Sequence, residues 1–180
     1  FNSMLIQGFT QGFGIQIAKM VGENDTVKLK RAISNSIILS ALLSIVLLLG
    51  MQLIINPAMH ILRIPLNIRD ISGTYLRVIF VGIPFSVAYN IFAVILRSLG
   101  NSKTPLNAMV ISTSSNIVLD ILFVVGFQWG VIGAAVATII SQLLSAVYCF
   151  VILNKCDIFK ANYIEFRLDI AETLVMLKLG

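Results

Sequence analysis

An all-α polytopic transmembrane bundle of about five spans, the first of them partial, is expected from this 180-residue chain on three grounds. The first is composition. Hydrophobic residues make up 58% of the chain and charged residues only 12%, with a mean hydropathy of +0.96; a water-soluble domain of this size has nowhere to put so much apolar surface. The second is segmentation. A helix needs about 20 mostly apolar residues to cross the hydrocarbon core, and residues 32–55, 78–96, 106–126 and 130–153 each meet that standard, with 1–18 as the partial span. The third is the placement of charge. Lys19, Lys28, Lys30, Arg31, Arg97, Lys103, Lys155, Lys160, Arg167 and Lys178 fall in alternate connections and the tail, whereas the second connection has only Arg63 and Arg69 and the 126–130 turn has no cation. By the positive-inside rule, loops 19–31 and 97–105 and the tail 154–180 are expected in the cytoplasm of a multi-pass cell-membrane protein.

The elements follow in order. Residues 1–18 carry Gln7, Thr10, Gln11 and Gln16 among apolar neighbours, groups suited to a cavity or to a neighbouring helix. Phe1 opens inside this hydrophobic run, so the sequence reads as a piece of a longer one, without a basic leader. A short loop with Glu23 and Asp25 leads into the second span, where Ser36, Ser40 and Ser44 at steps of four predict a helix-packing seam. An outer loop holding Pro57, His60, Pro65 and the Arg69-Asp70 pair comes next. The third span is expected to start near Arg77 and to kink at Pro84, two residues after Gly82. Residues 97–105 read as a helix stop, a tight turn and a restart. Spans four and five form a hairpin across 126–130, and 154–180 reads as a cytoplasmic connector with an amphipathic helix. Cys149 and Cys156, in a reducing compartment, are expected to be ordinary thiols.

Asp120 is the most informative residue. Residues 106–119 and 121–153 contain no charge at all. An ionised Asp at the centre of a bilayer costs roughly 2.5–3.5 kcal/mol on insertion scales, so such residues usually mark an ion or proton path. Asn116 lies one helical turn from Asp120, and Thr138 belongs to a polar stripe on the next span with Ser141, Gln142 and Ser145. At the helical rise, Asp120 is roughly 9 Å from the outer turn and Thr138 roughly 12 Å, so the two are expected to meet. A carboxylate, an amide carbonyl and a hydroxyl supply hard oxygen donors for a small cation such as Na⁺. Burial favours the neutral form of a carboxyl, so a proton is the alternative occupant. The same Asp can instead simply tie helices together by hydrogen bonding, and the small residues Gly133, Ala137, Ser141 and Ser145 predict a packing seam.

The ordered motifs resemble the multidrug and toxic compound extrusion (MATE) family. They are Gly22-Glu23-Asn24-Asp25; Tyr75-Leu76-Arg77 through Gly82-Ile83-Pro84; Tyr89-Asn90; the run from Leu96-Arg97 through Lys103-Thr104-Pro105; Asn116 through Asp120; and Gly130 through Thr138. The resemblance implies that residues 1–153 correspond to helices two (partial) through six of the N-terminal lobe of a twelve-helix, two-lobe transporter. Residues 154–180 would be the connector leading into the second lobe, a partner within the full-length chain. It also implies cation-coupled antiport, Na⁺ or H⁺ entering as organic, often cationic, compounds are exported. In several family members the first lobe's cation site uses an Asn and an Asp on helix five and a Thr on helix six, matching Asn116, Asp120 and Thr138. A further Asp on helix one, which would precede Phe1, completes that site. The related lipid-linked oligosaccharide flippases are the alternative.

Other classes fit poorly. No nucleophile–base pair, metal-ligand cluster or phosphate loop is present, so an enzyme is not expected, and no cofactor beyond the coupling ion. No basic face with interleaved aromatics accompanies the net charge of +5, so membrane lipid and small organic substrates are the expected partners and nucleic acid is not.

Overall fold

The structure, a computed structural model, describes residues 2–23, 25–61 and 66–156. The elements are α1 (Asn2–Gly22), α2 (Thr26–Ile61), α3 (Leu66–Val81), α4 (Ile83–Ser98), α5 (Lys103–Asp120), a π-helical turn (Ile121–Gly126) and α6 (Gly130–Lys155). No strand occurs among the described residues. Among them, the stretches Thr26–Pro57, Arg69–Ser98, Lys103–Gly126 and Gly130–Lys155 are long and apolar enough to cross a membrane. The Gln- and Gly-bearing α1, the partial span of the sequence, is not one of these; it packs against α2 and α4. The connector and amphipathic helix expected over 154–180 fall, beyond Cys156, outside the described residues.

Local chemistry sets the helix ends. Asp25 caps α2, its Oδ1 accepting the backbone N–H of Val27 at 3.2 Å and of Lys28 at 3.0 Å. Its Oδ2 lies 3.2 Å from Lys28 Nζ. The Lys28 backbone N–H above all, then the Lys28 side chain, holds this carboxyl below its ordinary value of 3.8. At the end of α4, Gly100 adopts φ +84°. Its N–H reaches Arg97 O at 3.0 Å while that of Asn101 reaches Leu96 O at 2.8 Å, the paired bonds of a Schellman cap. Asn101 Oδ1 then accepts the Thr104 N–H at 3.1 Å, so one short turn closes α4 and opens α5.

Two boundaries differ from the sequence reading. Pro57 and His60 lie inside α2, and Arg69-Asp70 and Arg77 inside α3, rather than in an outer loop or at a span start. Proline forfeits one backbone bond, and near the end of a long membrane helix water or a neighbour can satisfy the freed carbonyl. The third span runs from Arg69 to Ser98 and is interrupted for one residue at Gly82, whose backbone stays in the α-helical region at φ −72° and ψ −16°, in keeping with a kink at Pro84. Gly82 N–H turns back to Ile79 O at 2.9 Å, and α4 begins at once with Pro84 in its first turn, where its missing N–H costs nothing. A Cβ on Gly82 would sit 3.1 Å from Ile139 Cγ1 and 3.2 Å from Gln142 Oε1. Side chains of α6 therefore pack directly against this point of the span.

The centre of the bundle is α4, which touches α1, α2, α5 and α6. Phe13 and Ile17 of α1, Leu29 and Ile33 of α2, Ile95 and Leu96 of α4, and Cys149 and Leu153 of α6 form one buried cluster. It gathers the ends of α1, α4 and α6 and the start of α2, the ends that carry Lys19, Lys28, Arg97 and Lys155. Ser36, Ser40 and Ser44 are all buried, in keeping with a packing seam on α2. Ser40 and Ser44 face a cavity of about 270 Å³ whose other wall is Pro84, Val87 and Ile91 of α4.

Replacing Asp25 by Ala is expected to fray the first turn of α2. A carboxyl titrating below its unfolded value contributes stability that is complete above that value and lost as pH falls through the folded one. Thermal unfolding should therefore separate wild type from Asp25→Ala at neutral pH, and the gap should close as pH drops well below 3.8. Because Asp25 is exposed to solvent, the separation should be small.

Candidate functional site

Asn116 and Asp120 occupy adjacent turns of one face of α5, and Asp120 is its last α-helical residue. The chain then widens into the π turn and reverses. Phe127 N–H donates to Leu122 O at 2.9 Å, and Trp129 N–H to Phe123 O at 2.9 Å. Gln128 and Gly130 take φ of +57° and +56°, a conformation natural for glycine and strained for Gln128. The rings of Phe123, Phe127 and Trp129 pack on one another, with Phe123 and Trp129 at 5.3 Å between centroids.

The descent of α6 depends on small side chains. Gly133, Ala137, Ser141 and Ser145 are all buried, the seam expected from their spacing. A Cβ on Gly133 would lie 3.0–3.2 Å from the Cβ, backbone carbon and carbonyl oxygen of Phe123. Glycine here lets α6 rest on the backbone of the π turn itself. That approach brings polar groups together. Asn116 Nδ2 donates to Thr138 Oγ1 at 3.4 Å, and the Thr138 hydroxyl donates to Ala134 O at 2.9 Å. Further along the pair, Ser112 Oγ donates across to Ser141 O at 3.0 Å.

Counting residues from the turn set Asp120 opposite Thr138; the structure joins Thr138 to Asn116 instead. A π-helical stretch advances less per residue than an α-helix, so Asp120 lies nearer the hairpin end than α-helical counting implies. Its Oδ1 is buried and has no hydrogen-bond partner among the described residues. Among the described residues, Asn116 Oδ1 likewise accepts no protein hydrogen bond. Asp120 as a whole is only partly buried, so this one closed-off carboxylate oxygen is what the protein leaves unmet. Asp120, Asn116 and Thr138 thus bring a carboxylate, an amide and a hydroxyl to the α5–α6 face, two of them in direct contact through Asn116 Nδ2. Among the described residues no three His, Cys, Asp or Glu gather as a metal cluster.

Three features of this region had no separate reading in the sequence. The π turn has no recognisable composition. The Ser112–Ser141 bond was present only as membership of two polar stripes. The Gly133–Phe123 contact was present as one small residue in a seam, with nothing to say what it would touch. The contact is testable: Gly133→Val should overpack the α5–α6 junction and destabilise the protein by about 1–3 kcal/mol, read as a lowered unfolding midpoint of the purified full-length protein. An unchanged midpoint would mean that the junction is loose.

Comparison with known proteins agrees with this architecture. The MatE family model matches residues 1–122. The chain is 29% identical over 159 residues to the probable multidrug resistance protein YoeA of Bacillus subtilis, covering 84% of this chain and 34% of that protein. It is 30% identical over 151 residues to the multidrug export protein MepA of Staphylococcus saprophyticus, covering 83% of this chain and 34% of that one. The chain thus spans about a third of the length of these curated relatives. It is similar to a solved structure described as the inward-facing conformation of a multidrug resistance MATE family transporter of the MOP superfamily. The TM-score is 0.91 at 25% identity, over 99% of this chain and 41% of that chain. With the family model matched over well more than half of its residues and the helical order shared throughout, this chain, part of a multi-pass membrane protein, belongs to the MatE family.

Proposed function

We propose that this chain is the greater part of one lobe of a cation-coupled antiporter that exports organic, chiefly cationic, compounds, and that Asp120, Asn116 and Thr138 form the lobe's ion or proton site. The observation that carries the proposal is the buried Asp120 Oδ1, which lacks any hydrogen-bond partner among the described residues on the α5–α6 face where Asn116 bridges to Thr138. An occupant supplied from solution, Na⁺ or H⁺, would relieve that atom. It would shift the balance of inward- and outward-facing states only through a difference in affinity between them. The interruption at Gly82–Pro84 and the π turn beside Asp120 are the segments whose backbone bonding leaves room for such a change. The second lobe of the full-length chain would supply the other wall of the substrate cavity. Loops 19–31 and 97–105 and the tail would face the cytoplasm. The relatives above are named for multidrug resistance and export, which favours this reading over the flippase alternative.

The test uses the full-length parent in cells stripped of their own pumps. Efflux of a cationic dye is followed while the Na⁺ and proton gradients are collapsed separately. Wild type should lose efflux with one gradient, and Asp120→Asn should fall to the level of cells without the transporter at unchanged abundance in the membrane. Normal efflux by Asp120→Asn would overturn the assignment. Asn116→Ala and Thr138→Ala should weaken coupling without abolishing it, since each removes one neutral oxygen donor and leaves the charge in place.

A further inference from the structure

A second polar site lies at the opposite end of the bundle from the Lys28 and Arg97 termini, between α2 and α3. A cavity of about 340 Å³ is walled by Asn56 of α2 and by Arg69, Asp70, Thr74 and Arg77 of α3. Its floor is Met59 and Gly73, both buried. A Cβ on Gly73 would stand 3.2 Å from Met59 Cε, so the glycine keeps the two helices close beneath the opening. Arg77 is braced in place: its Nη2 donates to Asn56 Oδ1 at 3.2 Å, and Gln52 Nε2 donates to its backbone carbonyl at 3.1 Å. The charges themselves are unspent. Among the described residues neither arginine is ion-paired with Asp70 or with any other carboxylate, and Arg69 finds no hydrogen-bond partner there.

Depth and surroundings say what such a site meets. Arg77 and Arg97 are twenty residues apart along α3 and α4, about 30 Å at the helical rise and equal to the thickness of the hydrocarbon core. The cavity therefore opens at the level of lipid headgroups. Below it α2 presents Leu42, Val46, Leu49 and Leu53, at 50%, 65%, 59% and 77% exposure. Their steps of four, three and four make one helix stripe, and Asn56 continues it by three more residues into the cavity. An acyl chain lying on that stripe would bring its headgroup to the two guanidinium groups.

We propose that this cavity binds the headgroup of an aminophospholipid from the leaflet opposite the Lys28 and Arg97 ends. Arg69 and Arg77 take the phosphodiester, Asp70 takes the ammonium, and the α2 stripe takes a chain. Two guanidinium groups with their forked donors suit a phosphate, and a lone unpaired carboxylate among them suits a primary amine. Free phosphoethanolamine carries the same two charged groups without the chains.

The experiment is native mass spectrometry of the purified full-length protein titrated with phosphatidylethanolamine, with phosphatidylglycerol and with water-soluble glycerophosphoethanolamine. Wild type should retain phosphatidylethanolamine best and the soluble headgroup hardly at all. Arg69→Gln, which removes no hydrogen bond among the described residues, and Arg69→Gln/Arg77→Gln should weaken lipid retention by on the order of tenfold. Asp70→Asn should erase the preference for ethanolamine over glycerol, and Arg97→Gln at the other end should change nothing. Equal retention by wild type and both arginine variants would overturn the site. Equal affinity for the soluble headgroup would overturn the lipid as its source, and an Asp70→Asn protein that keeps its preference would overturn the amine assignment.

Discussion

Close backbone approach along α6 is the constraint on which the rest of the bundle depends. In a bilayer no hydrophobic force draws one apolar helix to another, so association rests on packing and on hydrogen bonds between helices. Here the approach is secured at both ends of α6's upper half. Gly133 lies on the backbone of the π turn, and Gly82, at the interruption between α3 and α4, lies against Ile139 and Gln142. Ala137 and Ser141 fill the interval with small side chains. Moving α6 outward by one methyl group at either glycine would separate Asn116 from Thr138 and Ser112 from Ser141, bonds already at 3.4 and 3.0 Å.

That packing gives Asp120 its character. A carboxylate on an isolated span would turn toward the interface or draw in water. On the α5 face beside α6, one of its oxygens is closed off from solvent while no donor among the described residues reaches it. Thr138 has given its proton to Ala134 O, and Asn116 Nδ2 spends one of its two N–H donors on Thr138.

Among the described residues the helical path is interrupted between α3 and α4 and again after Asp120, and each interruption has a local cause. Pro57, by contrast, is carried within α2 without interrupting it. Pro84 sits in the first turn of α4, where its missing donor is harmless, and the preceding Gly82 turns the chain. The π turn follows Asp120 directly and passes into a tight reversal whose aromatic rings stack over one another. At both interruptions N–H groups find partners within the protein, that of Gly82 on Ile79 O and those of Phe127 and Trp129 on Leu122 O and Phe123 O. The interruptions lie beside the Asp120 carboxylate and beside the α4–α6 crossing.

Composition and spacing alone sufficed for the four full spans, for the hairpin of α5 and α6, and for the serine and small-residue seams. Those properties depend on residue type and on helical period, which are local. The passage of α2 through Pro57 was not legible, since proline tolerates several backbone outcomes and only neighbouring helices choose among them. Nor was the partner of Thr138. Counting at α-helical rise placed Asp120 opposite it, but the π turn changed the register, and Asn116 took the bond instead. The gathering of Arg69, Asp70, Arg77 and Asn56 around one cavity likewise needed two helices in contact. Residue chemistry is written along the chain, but which oxygen is left without a donor depends on the distance between backbones, and that distance exists only once the helices are packed.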